Sequence, residues 1–282
     1  MSAGYSEGSF KGNDGFALFE RWWMPEGDLK GMLVIVHGLA EHCGRYAHVA
    51  EALCAQGYGV GTYDQRGHGK SDPAGPKAVI PSFDHLWDDL EVFLDRARKR
   101  GAGKPLFLFG HSMGGEVVTS YVIERKPELT GLMTSGAAIQ ISDDISPLVL
   151  AMAGVISKIA PKMPTIVLDG TAISRDQAVV DLYDSDPLNY RGGVPARTGA
   201  EMNRVIKIIQ ENLEKITLPL LVMHGTDDRL ADPQGSKDLY ERAQSVDKTL
   251  KLYEGFYHEI LNEPQKGQVI ADMAQWMDAH LN

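Results

Sequence analysis

The sequence predicts an α/β fold, a mostly parallel central sheet flanked by helices, with one helical insertion. Three observations carry that prediction. Short apolar runs of the kind buried on both faces, such as Met32-Leu33-Val34-Ile35-Val36 and Leu220-Leu221-Val222-Met223, alternate with segments of helical period. One such run, Leu106-Phe107-Leu108-Phe109, leads directly into Gly110-His111-Ser112-Met113-Gly114 and then into a helix-compatible stretch from Glu116 to Val122. That puts a serine at a sharp strand-to-helix turn, the geometry of a nucleophile elbow. Third, the alternation stops from about Ile141 to Leu218 and resumes afterwards, as it does when a cap is inserted into a sheet. The core is therefore expected to comprise residues 1–140 and 216–282, with a helical cap over 141–215.

Taken in order, Phe16 to Trp23 mixes aromatic and polar residues at a period near two and ends at Pro25, so it reads as an antiparallel strand near one end of the sheet. The Met32–Val36 strand stops at His37-Gly38-Leu39-Ala40-Glu41-His42, a loop at the carboxyl end of a central strand, where ligands bind in open α/β sheets. Arg45 to Gln56 is an amphipathic helix closed by Gly57, and Tyr58 to Tyr63 another strand. In the loop that follows, Gly69-Lys70-Ser71 looks like the tail of a phosphate-binding loop, but the glycine that motif needs five residues earlier is Asp64. The loop reads instead as a rigid turn pinned by Asp64 and Arg66. Ser82 to Arg100 is a long helix with Leu86, Leu90, Phe93 and Leu94 on one stripe and basic residues in its last turns. After the elbow comes a strand over Leu129 to Ala138. Inside the insertion, Ser146 to Pro161 reads as a helix greasier than one packed face requires, and Gly199 to Glu214 as a second. The greasy helix is either an ordinary buried one or a lid whose apolar face lines an acyl tunnel or meets a lipid surface. A strand to Gly225, a helix from Pro233 to Gln244, a strand Thr249 to Tyr253 and a closing helix Pro264 to Leu281 complete the chain.

At 282 residues with 43% hydrophobic content, the chain can bury a large single core. A formal net charge of −10 and a pI near 5.4 argue against nucleic acid and against electrostatic docking to anionic lipid, so any membrane contact must be hydrophobic. Cys43 and Cys54 fall on or beside one helix, where eleven residues rise about 16 Å, too far for a disulfide. The first residues carry neither a secretory pattern nor a glycine at position 2, and no apolar run is long enough to span a bilayer. The expected location is cytoplasmic, with peripheral membrane contact allowed.

Three strand ends deliver Ser112, an aspartate of the pair Asp227-Asp228, and His258 to one edge of the sheet. A serine hydroxyl attacks a carbonyl at neutral pH only if a base takes its proton; imidazole suits that task and needs an acceptor on its far nitrogen. The helix after Ser112 points free N–H groups at the reacting atom, so Met113 N–H is a candidate oxyanion donor, with a second from the His37–His42 loop. Pattern alone does not separate Asp227 from Asp228. His258-Glu259 also begins like a zinc-protease helix, yet the position for a second ligand is Asn262. The chemistry so read requires no metal and no organic cofactor.

The order Ser, Asp, His is that of α/β-hydrolases. His37-Gly38-Leu39-Ala40-Glu41-His42 with Arg45-Tyr46, Asp64-Gln65-Arg66-Gly67-His68-Gly69, Gly110-His111-Ser112-Met113-Gly114-Gly115, His224-Gly225-Thr226-Asp227-Asp228-Arg229-Leu230 and Gly255-Phe256-Tyr257-His258-Glu259 resemble the monoacylglycerol lipase family, especially its bacterial branch. The resemblance covers nearly the whole chain and includes Thr171-Ala172-Ile173-Ser174-Arg175 in the insertion. It implies Asp228 as the acid, oxyanion donors from the backbones of Leu39 and Met113, a hydrophobic cap, and a polar pocket end near Glu41 and Arg45 that receives glycerol. It implies hydrolysis of a small lipid, monoacylglycerol, to glycerol and fatty acid through an acyl-enzyme on Ser112; a carboxylesterase or lysophospholipase would share the same triad. In animal members a second histidine lies three residues past the catalytic one; here that position is Leu261.

Overall fold

The computed structural model describes residues 4–72, 74–75, 77–140 and 154–281. Its frame is one eight-stranded sheet: β1 (Gly4–Lys11), β2 (Ala17–Met24), β3 (Gly31–Val36), β4 (Tyr58–Tyr63), β5 (Leu106–His111), β6 (Gly131–Ser135), β7 (Leu220–Gly225) and β8 (Lys248–Tyr253). The spatial order is β1-β2-β4-β3-β5-β6-β7-β8. β1 and β2 run antiparallel to their neighbours, and every other pairing is parallel. β1 extends the expected sheet by one strand; seven of its eight residues, all but Phe10, face solvent, so no buried alternation marks it in the sequence.

The parallel strands alternate between two cores. Met32, Val34 and Val36 of β3 and Leu106 and Leu108 of β5 point into one, while Leu33, Ile35, Phe107 and Phe109 point into the other. The first core is closed by α2 (Phe83–Gly101), α3 (Met113–Arg125) and α5 (Ala196–Asn212), the second by α1 (Ala47–Cys54) and α7 (Lys266–Ala279). Layers on both faces explain why these strands read as unbroken apolar runs. Cys43 and Cys54 are buried free thiols.

Helix ends follow local chemistry. Ser82 accepts from the Asp84 N–H at the start of α2, Arg98, Lys99 and Arg100 occupy its last turn, and Ala102 closes it in the left-handed region at φ 47°. The expected Arg45–Gln56 helix is shorter, a 3-10 turn Cys43–Tyr46 followed by α1.

Between β6 and β7 the described residues carry no sheet strand. They hold α4 (Gln177–Ser185), capped by Asp176 accepting from Ala178 N–H, and α5. Of the expected Ser146–Pro161 helix, residues 146–153 lie outside the described residues; 154–159 are helical. α6 (Pro233–Arg242) begins at the Asp232 cap with proline in its first turn. The strand order reverses between β3 and β5, so their carboxyl ends flank the crevice where such sheets bind ligands.

Candidate active site

Ser112 sits between β5 and α3 at φ 53°, ψ −120°, a strained backbone for a residue with a Cβ. Glycines make the turn possible. A Cβ on Gly110 would lie 2.3 Å from the Gly114 carbonyl oxygen, and one on Gly114 would lie 2.1 Å from that of Val36. The serine backbone is pinned from both sides, its N–H donating to Ser135 O at 3.0 Å and its carbonyl accepting from Ala138 N–H at 3.1 Å. Its side chain opens into a cavity also lined by Leu39, Glu41, His111, Leu230, His258 and Glu259.

His258 follows β8 and is buried. Its Nδ1 lies 2.7 Å from Oδ2 of Asp228. A carboxylate accepts, so Nδ1 carries the proton and Nε2 keeps its lone pair. The second carboxylate oxygen of Asp228, Oδ1, accepts the N–H groups of Leu230 at 2.8 Å and Ala231 at 3.0 Å. Burial alone would discourage ionisation of Asp228, but the facing imidazoles of His258 and His224 outweigh it and hold this carboxyl well below the usual carboxylate range. Burial likewise opposes the charged form of His258, and the Asp228 carboxylate overcomes it, raising His258 above an ordinary histidine. Asp227 is exposed and accepts from the Thr226 hydroxyl at 3.1 Å. The structure thus brings Asp228, and not Asp227, to His258. His111 stacks 4.7 Å from the His258 ring; burial, with His258 facing it, pushes it down to about 4, so it is neutral.

The loop after β3 carries Leu39 on the cavity wall. His37 Nδ1 donates to the Gly38 carbonyl at 2.7 Å while its Nε2 accepts the Gln65 N–H at 2.9 Å; burial brings its pKa down to about 4 and keeps it neutral. Gly38 N–H donates to Glu41 Oε1 at 2.6 Å, and the Tyr46 hydroxyl donates to the same oxygen at 2.8 Å. Ala40, at φ 66°, turns its carbonyl toward Tyr190 N–H at 2.9 Å and the Tyr183 hydroxyl at 3.3 Å. Met113 is the first residue of α3, so its N–H belongs to the helix end that has no acceptor within the helix.

Glu41 and Arg45 are less open than a ligand-binding pair would be. Arg45 donates to Glu41 Oε2 at 3.0 Å and grips Glu259 with both guanidinium nitrogens, Nη2 reaching Oε2 at 2.6 Å. All three side chains are nine-tenths buried or close to it, and the Tyr183 ring covers the guanidinium at 4.9 Å. Burial opposes the charge on Glu259, but the Arg45 guanidinium beside it outweighs burial and holds the carboxyl below the usual range. Tyr183 is a site residue that the sequence reading does not single out, and Glu259 enters that reading only within the motif around His258. Glu259 is adjacent to His258, which was the one available signal; Tyr183 lies in α4 with no motif around it. The Asp64–Asp72 turn is a pinned structural element: Asp64 accepts from the N–H groups of Cys43 and Lys70, and Arg66 pairs with Asp14 and Asp89. Among the described residues no cluster of three His, Cys, Asp or Glu side chains is arranged to hold a metal.

The sheet order, the strained serine between β5 and α3 and the Asp228–His258 pair define an α/β-hydrolase. The family profile described as serine aminopeptidase, S33, a hydrolase family, matches residues 27–265. The chain is 37% identical over 281 residues to the monoacylglycerol lipase of Mycolicibacterium smegmatis, covering 100% of both chains. It is 34% identical over 274 residues to the caffeoylshikimate esterase of Arabidopsis thaliana, covering 93% of this chain and 82% of the relative. The crystal structure of a Paleococcus ferrophilus monoacylglycerol lipase superposes with a TM-score of 0.83 at 30% identity, over 93% of this chain and 99% of that one. The chain belongs to the monoacylglycerol lipase family of α/β-hydrolases.

Proposed function

We propose that the protein cleaves monoacylglycerols to glycerol and free fatty acid by two-step acyl transfer on Ser112, with His258 as base and Asp228 as its partner. The reading rests above all on the 2.7 Å contact between Asp228 and His258, whose ring lines the same cavity as the strained Ser112. His258 Nε2 takes the Ser112 hydroxyl proton as Oγ bonds to the ester carbonyl carbon, and the carbonyl pair becomes an oxyanion facing the N–H groups of Leu39 and Met113. Collapse expels the glycerol oxygen, which leaves with the proton from His258. Water then enters, gives its proton to the same nitrogen, attacks the acyl carbon and releases the fatty acid with Ser112 restored. Loss of one oxyanion donor would cost about 3–4 kcal/mol of transition-state stabilisation.

The polar end of the cavity is lined by carboxylates that are hydrogen-bonded within the protein. Glu41 and Glu259 share one guanidinium, and Asp169 accepts from the Thr171 N–H and hydroxyl. In this reading residues 141–215 are the cap. Val155, Ile159, Ile166, Val167 and Leu182 stand exposed on its described part, apolar surface suited to a neutral lipid surface. None of the described helices is long and apolar enough to cross a membrane.

The test is release of glycerol and fatty acid from 1-monooleoylglycerol, dioleoylglycerol and lysophosphatidylcholine in parallel, with Ser112→Ala as blank. Turnover confined to the monoacylglycerol is expected. Preference for the lysophospholipid or the diacylglycerol would overturn the substrate assignment while leaving the triad in place.

A further inference from the structure

The acid of the proposed triad serves two histidines. His224, the penultimate residue of β7, is fully buried, and its Nε2 lies 2.9 Å from Oδ2 of Asp228, the same oxygen that His258 meets. Nε2 also faces the Ala231 carbonyl at 3.2 Å. Both neighbours are acceptors, so Nε2 must carry the proton. Nδ1 is then the acceptor, and the Ser236 hydroxyl, buried on α6, sits 2.7 Å from it as donor. A directional chain results: Ser236 O–H to His224, His224 N–H to Asp228, and His258 N–H to the same carboxylate from the other side.

We propose that His224 is a positioning residue for the reaction, fixing the Asp228 carboxylate between α6 and His258 and sharing its Oδ2 with the base. The proposal rests on the triad reading above. Two consequences follow from elementary electrostatics. With Leu230 and Ala231 holding Oδ1 and His224 holding Oδ2, the carboxylate cannot rotate away from His258 when His258 gains a proton. An oxygen that already accepts one N–H also attracts a second less strongly, so His224 tempers the pull of Asp228 on His258. The other groups facing His258 are Glu259, itself bound to Arg45, Glu41, also on Arg45, and neutral His111; none of them contacts His224. A change in the titration of His258 on altering His224 would therefore travel through Asp228.

The experiment measures kcat and kcat/KM against pH with p-nitrophenyl butyrate, an activated ester that reads the triad whatever alcohol the enzyme prefers. Rates are normalised to sites titrated by a fluorophosphonate, so misfolded protein does not count. His224→Leu is expected to lower kcat roughly tenfold with KM unchanged. It should also move the acid limb of kcat/KM up by about half a pH unit, because Asp228 now acts on His258 alone. His224→Gln, whose amide N–H can occupy the Nε2 position, should recover most of both effects. Ser236→Ala should shift the limb in the same direction by less, and it keeps the test available should the leucine variant not fold. An acid limb unmoved in His224→Leu and Ser236→Ala, or a glutamine variant no better than leucine, would overturn the proposal. Full turnover by Ser112→Ala would instead overturn the triad reading on which it rests.

Discussion

At the scale of single residues, the site separates two adjacent carboxylates by environment. Asp228 is buried with four donors on its two oxygens, and Asp227 faces solvent beside Thr226. Asp228→Asn should lower kcat by about 10³- to 10⁴-fold through loss of the His258 orientation, while Asp227→Asn stays within about threefold of the parent. Steady-state rates on monooleoylglycerol decide this, and equal losses would contradict the assignment. The pH dependence follows from His258. Its pKa is raised above the ordinary value and the base works only when neutral, so activity should fall as pH drops through a midpoint above about 6.5. A pH–rate profile with its acid limb below that value would count against His258 as base. The stability linkage has the opposite sense. Protonated His258 gains from Asp228 in the folded state, so this stabilisation is full below the unfolded pKa and is lost as pH rises through the folded one. These residues were legible because each stands at the end of an apolar run with glycines beside it. Glu41, Arg45 and Glu259 were legible only as types. Arg45 meets Glu259 across 214 positions, and no local pattern announces that the charges implied for glycerol are spent on each other.

At the scale of elements, α3 explains both the nucleophile and an unusual burden. Every residue from Met113 to Ile123 is buried, including Glu116, one turn beyond the serine. Among the described residues neither carboxylate oxygen of Glu116 has a hydrogen-bond partner, and burial pushes its pKa well above that of an ordinary glutamate. The opposite charge acting on it, Arg204, is engaged by Glu201 and Asp84. A carboxyl that titrates higher in the folded chain makes folding less favourable as pH rises above its unfolded pKa, by about 1.4 kcal/mol per pH unit until the folded pKa is reached. Glu116→Gln should therefore match the parent at pH 4 and exceed it in stability by a margin that grows toward pH 8. Chemical denaturation across that range tests it, and a margin independent of pH would contradict it. The strands and helices around α3 were readable from period and caps, since two-sided burial leaves continuous apolar runs. β1 was not, because an edge strand with one buried side chain has no pattern to read.

At the scale of the whole molecule, an acidic hydrolase core carries exposed apolar side chains on the described part of its insertion. A net charge of −10 gives anionic bilayers no attraction, so the lipid contact proposed for this face must come from residues such as Ile159, Ile166 and Val167. Ile159→Ser combined with Ile166→Ser should slow hydrolysis of monooleoylglycerol held in neutral vesicles several-fold while leaving p-nitrophenyl butyrate turnover unchanged. Equal rates on vesicles would show that this face does not serve lipid contact. The alternating core was readable from the chain, because it depends on a pattern along the sequence. The packing of the segment between β6 and β7 was not, since its long-range contacts to loops such as the one at Ala40 leave no local record.

Each of these expectations for activity depends on hydrolysis passing through Ser112. The measurement that tests it is titration with a fluorophosphonate, following the label by peptide mass and the remaining hydrolysis of 1-monooleoylglycerol in the same samples. One label per chain, on the peptide containing Ser112, with activity falling in proportion to labelling, is the expected result. Complete labelling of Ser112 with hydrolysis undiminished would contradict the account.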